Sequence, residues 1–314
     1  MAKKHASNKK EDLTNAQIVI TSLAAGAVAG AIAKTTIAPL DRTKINFQVN
    51  HKPYSTKKAL KFLLHTLKKE GLFALWRGNS ATMARIVPHA AIQFTAHEQW
   101  KKVLRVDQGG GESPGRLFLA GSLAGVTSQS LTYPLDLARA RMAVTHKREY
   151  ATLRQVFTKI YHTEGIRTFY KGYIPTMMGV MPYAGVSFFI YDTLKRLYKE
   201  YVDINCTSPP PWVQLCFGAV AGMVGQTSSY PLDIVRRRMQ TDMEGRYKSL
   251  VGTLSYVYRR EGLIRGLYKG LSMNWIKGPI CVGISYATYD NVRDFLRSLV
   301  IKYNGKVLLD STSS

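Results

Sequence analysis

Four stretches of the chain, residues 18–33, 117–135, 172–191 and 209–232, contain no charged side chain. Each approaches the roughly 20 apolar residues that a membrane-spanning helix needs. Two shorter runs, 86–96 and 278–288, are flanked by single basic residues. The four longer runs are candidates for spanning helices. The lengths of these runs and their content of Gly and other small residues argue against buried helices of a soluble protein. The mean hydropathy of −0.12 is low for a membrane protein, so the segments between the runs must be strongly polar.

The runs belong to a unit that occurs three times. Pro-Leu-Asp recurs at Pro39-Leu40-Asp41, Pro134-Leu135-Asp136 and Pro231-Leu232-Asp233, a period of about 96 residues. Three residues after each Asp stands a base: Lys44, Arg139 and Arg236. Further on, the aligned copies predict one short connection, with four residues between a Glu-Gly pair and an aromatic-base-Gly triplet. The copies are Glu70-Gly71 to Trp76-Arg77-Gly78, Glu164-Gly165 to Tyr170-Lys171-Gly172 and Glu261-Gly262 to Tyr268-Lys269-Gly270. A third block closes each unit, at residues 97–101, 191–195 and 289–293. The resulting division is a basic tail at 1–15, repeats at 16–105, 114–200 and 211–300, and a C-terminal tail at 301–314.

Each first helix of a unit carries Gly-x-x-x-Gly: Gly26 and Gly30, Gly121 and Gly125, Gly218 and Gly222. Spacing by four places both on one face, where a neighbouring helix can approach closely. The proline of each Pro-Leu-Asp lacks a backbone donor and is expected to kink its helix. Beyond it, Asp and base at i, i+3 share a face. Turned inward, they close a ring: Asp41 with Arg139, Asp136 with Arg236, Asp233 with Lys44. Exposed pairs of this kind contribute only about 0–1 kcal/mol each; their threefold recurrence is what argues for a built feature.

The formal net charge is +24, from 44 Lys and Arg against 20 Asp and Glu. Such an excess needs a polyanionic partner: nucleic acid, anionic lipid or an anionic solute. A soluble nucleic-acid-binding protein accounts for the charge but not for the uncharged runs or the repeat. Lys34, Arg85 and Lys277 interrupt apolar segments, where a base costs roughly 2.5–3.5 kcal/mol on insertion scales. They are tolerable facing a water-filled cavity, and no acid lies within a helical turn of them, which makes phosphate a candidate partner. Arg238 reads as a solvated face. Cys206, Cys216 and Cys281 have no metal or disulfide spacing. No nucleotide-hydrolysing, metalloprotease or esterase motif is present, so neither an enzyme nor a cofactor is indicated.

The repeated Px[DE]xx[KR] and [DE]G…[aromatic][KR]G blocks resemble the mitochondrial carrier family over nearly the whole chain, from about Ala16 to Val300. The resemblance implies an all-α membrane protein: six transmembrane helices in three pseudo-threefold repeats, with short matrix helices, around a central cavity. It implies that the proline-side ring is a matrix gate, braced by Gln48 and Gln240, with Ala143 in place of the third brace and Asn46 replacing a basic residue. Glu98, Asp192 and Asp290 with Lys101, Lys195 and Arg293 would form the cytoplasmic gate, flanked by Tyr191 and Tyr289, with His97 in the first copy.

By the same resemblance Arg85, the pair Gly179-Val180, and Lys277 occupy substrate contact points, and Lys34 matches a cavity lysine. Gly179, lacking a Cβ, would let a flat purine lie against the backbone. Tyr183 adds a candidate stacking ring, and Arg237 a candidate cavity base. Arg236-Arg237-Arg238-Met239-Gln240-Thr241 lacks the three methionines of ADP/ATP carriers, and the short tail has no EF-hand loop of the ATP-Mg/phosphate type. The strings around 39–48, 76–88, 131–144, 228–241 and 266–284 look most like family members that carry coenzyme A. The implied solutes are coenzyme A and adenosine 3′,5′-bisphosphate, exchanged against ADP or ATP; an adenine nucleotide carrier is the alternative. Lipid phosphates, cardiolipin among them, are the implied membrane partners. A monomer in the mitochondrial inner membrane is the implied form.

Overall fold

In the computed structural model, residues 14–50, 54–106, 114–145, 149–201 and 209–312 are described. Most of the basic tail, Cys206 and most of the two expected breaks between repeats lie outside them. Among the described residues there are nine α-helices and no strand. They run α1 (Asn15–Val49), α2 (Thr56–Glu70), α3 (Asn79–Val103), α4 (Pro114–Val144), α5 (Leu153–Glu164), α6 (Tyr173–Tyr201), α7 (Pro211–Thr241), α8 (Leu250–Glu261) and α9 (Leu271–Thr312). The pattern long, short, long occurs three times. α9 continues to Thr312, well past Val300, where the third repeat was expected to end.

Local chemistry sets the short helices. Thr152 and Gln155 form a reciprocal capping box at the start of α5. The Ser249 hydroxyl accepts from the Gly252 amide at α8. At the other end of each connection, Gly78 and Gly172 adopt φ of +88° and +80°. A Cβ there would stand 3.0 Å from the Arg139 or Arg236 carbonyl of the next repeat. Glycine is therefore demanded twice over, by backbone conformation and by close approach.

The chain divides into two compact units, residues 1–37 with 278–314, and residues 38–277. In the first, Arg297 Nη2 donates to Ser22 Oγ at 3.2 Å, and the Tyr289 ring lies against Gly26. In the second, α3 packs along α4 and α6 along α7. Its apolar core is three similar clusters, each joining the end of a long helix to its short helix. They centre on Phe47 with Ala59 and Met273, on Leu137 with Val156, Ile160 and Phe169, and on Tyr230 with Ile234, Val257 and Leu267.

Large apolar side chains also face outward, among them Phe118, Leu131, Phe188, Phe189, Trp212 and Leu215, each more than 60% exposed. Such a surface suits hydrocarbon, not water. Among the described residues, two helical stretches qualify as spans by length and hydropathy alone: Gln17–Val49 and Ile166–Tyr201, with mean hydropathy 1.6 and 1.2. Polar positions such as Arg85, Gln129 and Lys277 lower the average elsewhere.

Two expectations require correction. The Gly-x-x-x-Gly faces are not helix contacts among the described residues. A Cβ on Gly30, Gly121, Gly125, Gly218 or Gly222 would meet nothing within 4 Å, and on Gly26 only the edge of Tyr289 at 4.0 Å. The close approach is at Gly225, where a Cβ would fall 2.8 Å from the Tyr183 carbonyl and nearer still to Ser187 Oγ. The third connection also differs from the other two. Five residues, not four, separate Glu261-Gly262 from Tyr268. The extra residue is absorbed by a π turn over Leu263–Leu267. Gly266 fits there because a Cβ would come within 2.9 Å of Glu261 Cβ and 3.1 Å of Val257 Cγ1.

Candidate functional site

The second unit carries a closed ring of ion pairs. Beyond Pro39, Pro134 and Pro231 the helices continue, which presents each Asp and its i+3 base to the neighbouring repeat. Arg139 donates to Asp41 Oδ2 and Arg236 to Asp136 Oδ2, both in short contacts, and Lys44 Nζ lies 2.9 Å from Asp233 Oδ2. Asp41, Asp136 and Lys44 are buried. Buried ions of this kind stabilise only when the remaining lone pairs are also satisfied, and additional side chains do that here.

Gln48 Nε2 donates to Asp233 Oδ2 at 3.1 Å and to Tyr230 Oη at 3.2 Å. Gln240 Nε2 does the same for Asp136 Oδ2 at 2.8 Å and Tyr133 Oη at 3.0 Å. The two tyrosines then donate to the Lys269 and Lys171 carbonyls. Sequence reasoning missed both, although each directly precedes the motif proline. The third arrangement lacks both members, with Ala143 for Gln and Ala38 for Tyr. A void of about 10 Å³ lined by Ala38, Asp41, Arg139 and Ala143 remains. Asp41 instead receives Lys277, whose Nζ is 2.6 Å from Oδ1.

Lys277 and Arg85 are thus not free bases. Their acids are distant in sequence and so were invisible to a search within a helical turn. Arg85 Nη1 is 3.5 Å from Asp136 Oδ1, while its Nη2 donates to Gln129 Oε1 at 2.6 Å. Arg237 joins the same group, 3.7 Å from Asp136 Oδ2 and donating to Gln240 Oε1 at 2.9 Å. Six bases, Lys44, Arg85, Arg139, Arg236, Arg237 and Lys277, therefore meet three acids. The uncompensated positive charge, in a partly buried setting, favours an anion by elementary electrostatics.

A second threefold set supports the ring. Arg141 binds Glu164 through both terminal nitrogens, and its Nε donates to the Gln240 carbonyl of the next repeat at 3.1 Å. Arg238 is fully buried, binds Glu261 and donates to the Gln48 carbonyl at 3.2 Å. It is a clamp between repeats, not a solvated face. In the first repeat Asn46 occupies the corresponding place, and Arg42, one turn earlier, does the work: it binds Glu70 at 3.1 Å and the Ala143 carbonyl at 3.3 Å. The signal for these clamps was present in the Glu of each Glu-Gly pair.

At the other block the pairs stay within single helices. Glu98 lies 3.8 Å from Lys101 and from His97, Asp192 contacts Arg196 at 3.4 Å, and Asp290 contacts Arg293 at 2.9 Å. Glu98 and the exposed Lys195 form no ion pair with each other. Tyr191 packs edge-on against Phe217, and Arg293 stands over the Tyr289 ring.

Val180 and Tyr183 are exposed on α6. The missing Cβ of Gly179 points instead at Leu232 Cβ, 3.7 Å away, so the glycine faces α7 and not open space for a purine. Lys34 lies half-buried on the first unit's part of α1.

The family description of mitochondrial carrier proteins matches residues 16–108, 110–202 and 207–299, one match for each long-short-long unit. This chain belongs to the mitochondrial carrier family. It is accordingly an all-α, multi-pass transporter of the mitochondrial inner membrane and not an enzyme. It is 55% identical to the human mitochondrial coenzyme A transporter SLC25A42 over 286 residues, covering 90% of this chain and 89% of that one. The zebrafish (Danio rerio) protein of the same name is 52% identical over 297 residues, 93% of this chain and 92% of the relative. A zebrafish mitochondrial adenyl nucleotide antiporter, SLC25A24, is 38% identical over 277 residues, 87% of this chain and 58% of that protein.

Proposed function

We propose that this carrier imports coenzyme A, and adenosine 3′,5′-bisphosphate, in exchange for ADP or ATP by alternating access. The observation that carries the reading is the group of six bases around three acids, in which Arg85 and Lys277 are each held by a gate acid. Coenzyme A presents a diphosphate and a separate phosphate, so it can engage bases on different helices. The coenzyme A transporters that share more than half of this sequence support the choice of solute.

The mechanism follows from competition. A phosphate that binds Arg85 and Lys277 draws them from Asp136 and Asp41. Each acid then loses one base, Asp136 keeping Arg236, Arg237 and Gln240 and Asp41 keeping Arg139, and the matrix ring weakens. Opening needs only a few kcal/mol of differential binding. In the opposite state Glu98, Asp192 and Asp290 pair across helices with Lys101, Lys195 and Arg293 and close the cytoplasmic side. Gln48 and Gln240 tune the balance as braces. Lys34 enters this reading by resemblance alone, as do Val180 and Tyr183 as base contacts. A groove of about 430 Å³ lined by Arg167, Tyr170, Lys171, Tyr173 and Lys248 supports a lipid phosphate such as that of cardiolipin. One chain supplies all three repeats, so a monomer suffices.

The test is uptake of labelled coenzyme A into liposomes holding purified protein and preloaded with ADP, adenosine 3′,5′-bisphosphate or nothing. Uptake that depends on preloading and is competed by unlabelled coenzyme A is expected. Brisk ADP/ATP exchange without coenzyme A uptake would instead assign an adenine nucleotide carrier, the reading that the 38% identical antiporter favours.

A further inference from the structure

Arg85 leans on more than Asp136. Its Nη2 donates to Gln129 Oε1 at 2.6 Å and its Nε to Thr132 Oγ1 at 3.4 Å. The Thr132 hydroxyl hydrogen is committed to the Ser128 carbonyl at 2.7 Å, so Thr132 can only accept at this place. Gln129 is thereby half used. Its oxygen accepts the Arg85 hydrogen bond, while its Nε2 is buried and has no acceptor among the described residues. An unmade donor of this kind costs about 1–3 kcal/mol. His89 stands one helical turn after Arg85 on the same face of α3, half-buried and facing Gln129.

We propose that Gln129 and His89, with Arg85, form a subsite for a terminal phosphate of the transported solute. A terminal phosphate offers three free oxygens. The Arg85 fork, the Gln129 amide and the His89 ring supply donors from three side chains within one turn of α3 and the facing part of α4. A phosphate inside a diphosphate linkage has fewer free oxygens and carries less charge. The subsite therefore selects solutes that end in phosphate, such as coenzyme A through its 3′-phosphate, or ADP. The buried Gln129 nitrogen gains its missing acceptor only when such a group is bound.

The inference rests on the proposed solute only for its test pair. Half-saturating concentrations for uptake are compared for coenzyme A and dephospho-coenzyme A, which lacks the terminal phosphate, with the full chain in liposomes. For Gln129→Leu the value for coenzyme A should rise about tenfold to a hundredfold, the worth of a hydrogen bond to a charged group, while that for dephospho-coenzyme A stays unchanged. His89→Leu, at a half-exposed position, removes the ring donor and gives the same one-sided shift if Gln129→Leu fails to fold. Equal shifts for both solutes, or no shift, overturn the subsite. If the unmodified protein takes up neither, the coenzyme A reading fails separately. The subsite is then judged by the same comparison of ADP with ADP-ribose, whose diphosphate has no terminal phosphate.

Discussion

Lys277 Nζ lies 2.6 Å from Asp41 Oδ1, at the one acid of the ring that has neither a glutamine nor a tyrosine beside it. The ring is therefore asymmetric in a specific way. Two acids are braced by neutral amides and the third by a base that the proposed mechanism also gives to the substrate. Lys277→Met removes both functions. Exchange in liposomes should fall by about tenfold to a hundredfold, the worth of a charge-assisted contact, and Lys277→Arg should retain part of it. Full activity of Lys277→Met would separate Lys277 from transport.

The vacant brace can be filled. Ala143→Gln places an amide beside Asp41 where the other two repeats have Gln48 and Gln240. A new hydrogen bond contributes about 1 kcal/mol, which shifts the gate toward closed roughly fivefold. Thermal unfolding should move up and exchange should slow. A lower melting temperature would mean that the void cannot take the side chain.

Alanine at two glycines of α7 separates contact from mere smallness. Gly225→Ala forces a Cβ against the Tyr183 carbonyl and Ser187, and overpacking of this kind costs about 1–3 kcal/mol. Gly222→Ala meets nothing within 4 Å and, because Ala is favoured over Gly inside a helix by about 1 kcal/mol, should raise the melting temperature slightly. Equal behaviour of the two variants would contradict the packing of α6 on α7.

Glu164 lies outside the membrane-spanning segments. Burial by itself raises its carboxyl, but the hydrogen bonds and charge of Arg141, with Lys171 at 3.6 Å, outweigh burial and hold it below the ordinary value. A lowered native pKa gives stability that is present above the unfolded value of about 4.3 and is lost as pH falls through the native one. Glu164→Gln should therefore be less stable at neutral pH by about 3 kcal/mol, with the gap closing in acid. Melting temperatures measured from neutral pH downward check this; a gap that does not depend on pH would show that the ion pair contributes nothing.

Much of the candidate site was legible in the chain because it is written three times. The ring partners Asp41 with Arg139, Asp136 with Arg236 and Asp233 with Lys44 follow from one i, i+3 spacing repeated at the same place in each unit. Arg238 was misread because nothing local distinguishes a buried clamp from a solvated arginine. Its partner Glu261 is 23 residues away, and the carbonyl it binds, that of Gln48, lies in another repeat. The π turn at Leu263–Leu267 is not marked by any motif, since its one extra residue leaves the Glu-Gly and Tyr-Lys-Gly blocks on either side intact.

The sequence by itself determined the architecture: helical runs of spanning length, three copies, and an excess of bases that requires an anion. Periodicity and net charge survive without coordinates because they are properties of neighbours along the chain. Tertiary structure decided which bases are engaged and by what. Arg85 and Lys277 look alike as isolated cations in apolar runs, and Arg237 is one of three consecutive arginines. Only the packing of repeat against repeat brings Asp136 or Asp41 within reach, because an ion pair acts over a few ångströms of space and not over positions in sequence.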